Sequence, residues 1–116
     1  MTKDEMKRRT KCFSLRVLKL CRALPQTVEA QAIRRQLVRS GTSVGANYRA
    51  ALRARSPAEF RAKLGIVEEE ADETMFWLEI IIDDQMLKPE RVTALLDEAN
   101  EIIAITVTTI KNSRKP

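Results

Sequence analysis

The stretch "SGTSVGANYRAALRARSPAEF", residues 40–60, decides between two different structures for this chain. It contains two of the three glycines, Gly41 and Gly45. A phosphate-binding loop places such glycines after a strand and before a Lys followed by Ser or Thr, and the sequence around Gly41 has neither feature. Glycines at this spacing lie on nearly the same side of a helix. We therefore predict a continuous helix whose small residues let another helix pack closely, either within the chain or from a second subunit.

Apolar residues recur at steps of three or four on both sides of this stretch, which is the spacing of amphipathic helices. Between the two runs, Ser56 is the predicted N-cap, Pro57 occupies the first helical position and Glu59 the third, which together predict a capping box. The same reasoning along the whole chain predicts helices at about residues 4–23, 27–54, 57–86 and 89–111, followed by a frayed tail at 112–116.

The predicted fold class is all-α, an antiparallel up-down-up-down four-helix bundle that forms a single domain over residues 1–116. Long helices that are joined by short connections pack against their neighbours in opposite directions. The β-branched run "IIAITVTTI", residues 102–110, has strand propensity. Its apolar period is nevertheless helical and no partner strand is evident, so we expect a helix there also.

Charge is divided unevenly between the two halves of the sequence. Residues 1–55 contain fourteen Lys and Arg but three acids, whereas residues 56–116 contain seven Lys and Arg but thirteen acids. The net charge of +5 conceals this division. It favours either a polyanionic partner such as RNA or DNA, or attraction between the unlike halves of neighbouring copies.

The chain has no histidine, which excludes Ser-His and Cys-His nucleophile pairs and the Glu-x-x-His motif of di-iron bundles. The acidic run at residues 68–73 could supply carboxylate ligands to a metal ion. Successive residues on a helix point in different directions, however, so a metal site here is only a remote alternative. We predict no catalytic residue, no cofactor and no metal, and we expect a non-enzymatic function.

The sequence has no run of about 18 apolar residues of the kind that spans a membrane. The segment "MTKDEMKRRTK", residues 1–11, is charged throughout and lacks the apolar region of a secretory signal. We therefore expect a cytoplasmic protein with no membrane partner. Cys12 and Cys21 fall on opposite sides of the first predicted helix, and we expect them to remain free thiols.

Four arginines of the second predicted helix lie within roughly 80° of one another on a helical projection, opposite its apolar side. Guanidinium groups on one rigid face suit phosphates or carboxylates. A face that is only solvated, or one that is used between subunits, remains an alternative. The candidate nucleic-acid-binding residues are Arg35, Arg39, Arg49 and Arg53.

Two large apolar residues of the third predicted helix, Phe76 and Ile80, lie among Glu69, Glu73 and Asp83, opposite the core positions. Large apolar residues on an otherwise acidic face are candidates for a partner surface. The candidate subunit-interface residues are therefore Gly41, Gly45, Phe76 and Ile80.

Four short motifs are distinctive: Leu24-Pro25, Ser43 to Asn47, Ser56 with Glu59-Phe60, and Trp77-Leu78-Glu79. Together, over Phe13 to Ile110, they resemble the bacterial four-helix-bundle protein family, the proteins encoded in intervening sequences of 23S ribosomal RNA genes. Many members have "NIAEG" where this chain has "NYRAA", residues 47–51. This chain therefore lacks the family's glutamate and third glycine and has a more basic surface.

The resemblance implies an antiparallel four-helix bundle that assembles as a ring, a homopentamer, with no known enzymatic activity. The family is also similar to the accessory variability protein of diversity-generating retroelements, a basic pentameric bundle that binds nucleic acid and a reverse transcriptase. The partners that the resemblance implies are other copies of the chain, RNA or DNA, and a protein.

Overall fold

In the computed structural model, which describes residues 1–114, helices make up most of the chain. No strand occurs among these residues, and the β-branched run at 102–110 is helical, which confirms the all-α fold class. A short 3-10 turn at Pro89–Arg91 precedes the last helix. The helices are α1 (Lys3–Arg22), α2 (Val28–Leu52), α3 (Pro57–Asp83) and α4 (Thr93–Ser113).

The helices form an elongated bundle of 50 × 21 × 19 Å, in which α2 packs between α1 and α3, and α4 packs on α3. Contacts between α1 and α2 run in opposite directions along the two helices. Arg34, early in α2, bonds to Cys21 near the end of α1, whereas Ser14, in the middle of α1, bonds to Gly41 further along α2. A smaller contact between α1 and α4 completes the bundle. Within residues 1–114, none of the helices combines the length and apolar character of a membrane span.

Side-chain caps begin the first three helices. Thr2, Thr27 and Ser56 each accept a hydrogen bond from the backbone N–H three residues ahead. At α3 the predicted capping box is shifted by one residue, because the Glu59 carboxylate accepts from the backbone N–H of Arg55, at 3.1 Å, rather than from that of Ser56. The Glu59 side chain therefore also fixes the turn before the helix.

Helix α3 ends earlier than the sequence predicted. It stops at Asp83 instead of continuing to residue 86. Gln85 has a φ of 58°, in the left-handed region that cannot continue a right-handed helix. This single residue turns the chain toward α4.

Helix α4 begins at Thr93, whereas the sequence predicted a start at Pro89. Proline suits the first position of a 3-10 turn as well as that of an α-helix, and here it begins the former. At the other end, residues 112–113 belong to α4 although we expected them in a frayed tail. Lys115 and Pro116 of that predicted tail lie outside the described residues.

The two glycines of the 40–60 stretch lie where α2 crosses α1. A Cβ atom on Gly41 would lie 2.5 Å from Val17 Cγ1, and one on Gly45 would lie 2.8 Å from Ser14 Oγ and 3.2 Å from the Thr10 carbonyl oxygen. A side chain at either position would overlap α1, so the absence of a Cβ is what permits this approach. The close contact that we predicted for both glycines is therefore made with α1 of the same chain rather than with a second subunit.

Buried hydroxyl groups join the first three helices. The Ser14 hydroxyl donates to the carbonyl oxygen of Gly41 at 2.7 Å and accepts from the backbone N–H of Gly45 at 3.2 Å. The Thr74 hydroxyl of α3 lies 2.9 Å from that of Ser40 in α2. Among the side chains of residues 1–114, no buried nitrogen or oxygen atom lacks a hydrogen-bond partner, as a stable core requires.

Candidate functional site

The bundle places the basic half of the sequence on one side. Helices α1 and α2 pack together, as do α3 and α4, so the cation-rich and acid-rich halves form different sides of the molecule. Cations on α1 extend the basic side beyond the predicted arginines. The sequence analysis did not single them out, although a helical projection places them within roughly 120° of one another. The exposed cations on this face of α1 are Lys7, Arg8, Lys11, Lys19 and Arg22.

The four arginines that we predicted on α2 are all exposed, on the side opposite its core residues. Among the described residues, only Arg39 of this set forms an ion pair. The other three have no acidic partner in that part of the chain and lie at the surface: Arg35, Arg49 and Arg53.

Arg39 ties α2 to α3. Its guanidinium donates to Glu70 at 2.8 Å and to Glu73, which also accepts a hydrogen bond from the Trp77 indole at 3.2 Å. The bond from Arg39, helped by the indole, holds the pKa of Glu73 below its usual value, although partial burial acts in the opposite direction. Two acids of the run at 68–73 are therefore engaged by α2. Over residues 1–114, no group of three acids or thiols is placed to hold a metal ion.

Arg9 has a structural position between α1 and α4. Its guanidinium contacts both carboxylate oxygens of Glu98, at 2.6 and 2.8 Å, and lies 3.3 Å from Glu101. The Arg9 and Glu98 side chains are only 23% and 15% exposed. The hydrogen bond from Arg9 lowers the pKa of Glu98, and the same bond raises the pKa of Arg9. This cation stabilises the bundle and is not available to a ligand.

Arg34 also serves the fold. Its guanidinium donates to the carbonyl oxygens of Cys21, Leu24 and Pro25, at 3.1, 2.9 and 3.2 Å. The Cys21 carbonyl is in the last turn of α1 and those of Leu24 and Pro25 follow it, in a region where backbone acceptors lack partners further along the helix. Arg34 therefore fixes the connection between α1 and α2.

A groove between α2 and α3 joins two predicted arginines to two cations that sequence reasoning missed. It has a volume of about 390 Å³ and is lined by Arg49 and Arg53 together with Arg55 and Lys63. The missed residues belong to the turn and to α3, so a projection of α2 alone could not include them. The signal was nevertheless present, since Ala46 and Lys63 are each seven residues from the turn at 53–56 and therefore lie level in an antiparallel pair, about one helical turn from Arg49.

The predicted interface residues of α3 differ from each other in exposure. Phe76 is 51% exposed, and its ring packs edge to face against Trp77 at 5.0 Å. Ile80 is half-buried and lines a groove with Ile33 and Met86. The edges of this groove are acidic and are formed by Glu29, Asp83 and Asp84.

A second apolar patch, which the sequence analysis did not identify, lies on the basic side. Leu15 of α1 is 57% exposed and Val38 of α2 is 37% exposed. Leu18 and Val38 line a groove beside Arg22. The molecule thus has one apolar patch with cations at its edge and another with acids.

These features define a small antiparallel four-helix bundle with a basic side, an acidic side and two exposed apolar patches. Its sequence matches the model of the 23S rRNA-intervening sequence protein family over residues 3–108, and the chain belongs to this family. The match confirms the family that the short sequence motifs predicted.

A solved structure agrees with this assignment. The chain is similar to a protein of unknown function from the S23 ribosomal protein family of Bacteroides thetaiotaomicron VPI-5482, whose crystal structure was determined at 1.70 Å resolution. The two are 33% identical with a TM-score of 0.88, over 96% of this chain and 99% of that chain. No curated protein sequence matches the chain significantly. Neither the family match nor the solved structure indicates a catalytic family.

Proposed function

We propose that this protein is a non-enzymatic, homo-oligomeric bundle whose basic side binds the phosphate groups of RNA or DNA. The observation that carries the proposal is the set of exposed cations on α1 and α2 that have no acidic partner among residues 1–114. On α1 the set includes Lys7, Lys11 and Arg22, and on α2 it includes Arg35 and Arg49. Cations held on adjacent rigid helices neutralise several phosphates at once and release their counterions.

The expected contacts are with the nucleic-acid backbone and not with bases. The chain has one Trp, one Tyr and three Phe, of which Tyr48 is buried and Trp77 is half-buried. Few aromatic rings therefore remain for base stacking, which supplies much of the affinity of single-strand-binding proteins. Phosphate contacts position a protein on nucleic acid but carry little sequence information, so we expect weak sequence selectivity.

The two unlike apolar patches support self-association. Phe76 lies on the acidic side, whereas Leu15 and Val38 lie on the basic side. A contact between different faces of neighbouring copies is heterologous and closes into a ring if the rotation is suitable. The family resemblance makes a homopentamer the expected ring. We expect light scattering to give an oligomer, Phe76→Glu to give smaller species, and the control Val107→Glu, at a 43% exposed position on α4, to leave the mass unchanged.

An alternative proposal gives the arginines to subunit interfaces in a purely structural or protein-binding module. The pairing of Arg39 with Glu70 and Glu73 favours it, because the acidic face of α3 evidently accepts arginines of α2. In that case Arg35, Arg49 and Arg53 would pair with acids of a neighbouring copy and leave little basic surface for nucleic acid.

The experiment is to measure the affinity for mixed-sequence RNA and duplex DNA between about 50 and 200 mM salt. Affinity should fall with salt, with a slope in log K against log salt of about −0.9 for each duplex phosphate neutralised. Lys11→Ala with Arg35→Ala should weaken binding and reduce this slope. Lys111→Ala with Arg114→Ala, an equal loss of exposed charge at the end of α4, is the control and should change binding less.

Two results would contradict the nucleic-acid proposal. One is the absence of binding at the lowest salt concentration. The other is equal binding by the parent and by Lys11→Ala with Arg35→Ala, measured on oligomers of the same mass. Either result would favour the alternative in which the arginines serve the assembly.

A further inference from the structure

The groove at the α2–α3 turn gathers cations from three parts of the chain. Arg49 comes from α2, Arg53 from the C-cap just after the last residue of α2, Arg55 from the turn, and Lys63 from the second turn of α3. Within residues 1–114 none of the four forms an ion pair. Their charges therefore remain available to an anion that enters the groove.

Small residues and one engaged acid complete the lining. Ala46 and Ala50 line the groove along α2, and their methyl groups leave room between the longer side chains. Glu59 is the one acid in the lining, and its Oε2 accepts the backbone N–H of Arg55 at 3.1 Å. With four cations against one carboxylate, the groove has an excess positive charge in a concave space of about 390 Å³.

We infer that this groove binds a phosphate monoester, such as the 5′-terminal phosphate of a nucleic-acid strand, in preference to the phosphodiester backbone. A monoester carries a charge of about −1.5 to −2 near neutral pH and has three terminal oxygens as acceptors. A diester carries a single charge, so an excess of cations favours the monoester. Guanidinium groups add paired hydrogen bonds to such oxygens. The inference rests on the proposed function insofar as the phosphate belongs to nucleic acid.

The shape of the site supports the same choice. A terminal phosphate in this open groove can approach cations from α2, the turn and α3 together, whereas a continuous backbone can spread its contacts over the outward faces of α1 and α2. Arg49 and Arg53 therefore have a more specific role than general phosphate binding. Together with Arg55 and Lys63 they form the site that binds the end of a strand.

The absence of histidine from the chain makes pH a direct test. Histidine is the side chain whose ordinary pKa places its charge change between pH 5 and 8. The groups that face the ligand from α2, the turn and α3 are four cations and Glu59. The phosphate monoester itself takes up a proton near pH 6, so a preference that weakens between about pH 7.5 and 5.5 reports protonation of the ligand.

The experiment compares one mixed-sequence oligonucleotide, labelled at its 3′ end, with a 5′-phosphate or a 5′-hydroxyl, by fluorescence anisotropy on the full chain. We expect the 5′-phosphate to bind about fivefold more tightly near neutral pH, because it adds a charge of about −1.5 to −2 at a solvated cationic site. This ratio should fall at the lower pH but stay above one, because the protonated monoester keeps one negative charge that the 5′-hydroxyl lacks. Arg55→Ala with Lys63→Ala should remove the preference for the 5′-phosphate, so that the affinity ratio is close to one, and should retain binding of the 5′-hydroxyl strand. Lys11→Ala with Arg35→Ala, the matched control, should weaken both strands and retain the ratio.

The outcomes separate this inference from the nucleic-acid proposal. Equal affinity for both strands would overturn the inference and leave the proposed function standing. If neither strand binds, the protein is titrated with pyrophosphate. If pyrophosphate binds and Arg55→Ala with Lys63→Ala removes this binding, the groove is an anion site whose ligand is a free phosphate, and the nucleic-acid proposal is contradicted. If pyrophosphate does not bind either, both the groove inference and the nucleic-acid proposal are overturned.

Discussion

Helix α1 contacts α2 and α4 through different chemistry. Along α2, the absence of side chains on Gly41 and Gly45 brings the two backbones together. Along α4 the contact is smaller, Arg9 reaches across to Glu98, and a groove of about 260 Å³ opens near Leu20. The first contact depends on shape and the second on charge. The first should therefore be sensitive to added volume and the second to pH.

The largest expected effect comes from adding volume between α1 and α2. Gly41→Leu should destabilise the protein by about 2–3 kcal/mol, because overpacking a filled contact outweighs the gain in helix propensity of about 1 kcal/mol. Val17 stands directly in the way of the new side chain. Urea unfolding followed by circular dichroism measures the change. A variant more stable than the parent would show that α1 can move away at little cost.

A smaller effect is expected between α1 and α4. Arg9→Ala should cost about 1–2 kcal/mol, since it removes charged hydrogen bonds from a half-buried site and leaves Glu98 without its partner. Arg39→Ala is the matched control, because it removes the other arginine that pairs with two acids but at a more exposed position. Its cost should be lower. Equal losses in the two variants would mean that burial does not distinguish the two ion pairs.

The Arg9–Glu98 ion pair should also make the stability of the protein depend on pH in the acidic range. The pKa of Glu98 is lower in the folded protein than in the unfolded chain, so its contribution is complete above the ordinary glutamate pKa of about 4.3. That contribution is lost as the pH falls through the lowered folded value. Arg9→Ala should reduce this loss, which urea unfolding from neutral pH to about pH 3 would measure. If Arg9→Ala and the parent lost stability equally as the pH falls, the Arg9–Glu98 pair would not contribute to acid unfolding.

The smallest effect is expected at the third glycine, which has no close neighbour. A Cβ atom on Gly65, in the third turn of α3, would have no atom of residues 1–114 within 4 Å other than those of its own helix backbone and chain neighbours. Gly65→Ala should therefore stabilise the protein by about 0.5–1 kcal/mol, through helix propensity alone. Thermal unfolding of Gly65→Ala, measured together with Gly41→Leu and the parent, tests this comparison. A destabilised Gly65→Ala would indicate that another copy of the chain packs closely on this face of α3.

The fold followed from the sequence because each helix repeats its apolar positions at a helical period. The same periodicity placed four arginines on one face of α2, and the structure has them on its exposed face. It could not reveal that, within residues 1–114, Arg39 is the one of these four that meets acids of α3. A helical projection gives the direction of a side chain around its own axis, whereas an ion pair also depends on the axial alignment of two helices.

Two further features show where local patterns are insufficient. Glycines at helical spacing favour a close contact, but whether α1 or another subunit makes that contact depends on tertiary packing. Pro89 is compatible with the start of an α-helix and with the 3-10 turn that it begins here. In both cases the sequence defined the local possibilities and the rest of the bundle selected among them.

The buried Ser14 hydroxyl determines more than one hydrogen bond, because it binds two sites on α2 at once. If α1 slid along α2 by one helical turn, about 5.4 Å, the hydroxyl would lose both partners on α2 and keep only its bond to the Thr10 carbonyl of its own helix, at 3.2 Å. The two lost hydrogen bonds, each worth about 0.5–1.5 kcal/mol, disfavour the slipped alignment. That alignment also sets the axial offset between the cations of α1 and those of α2. One small polar atom in the interior thus fixes the spacing of positive charges on the outside of the molecule.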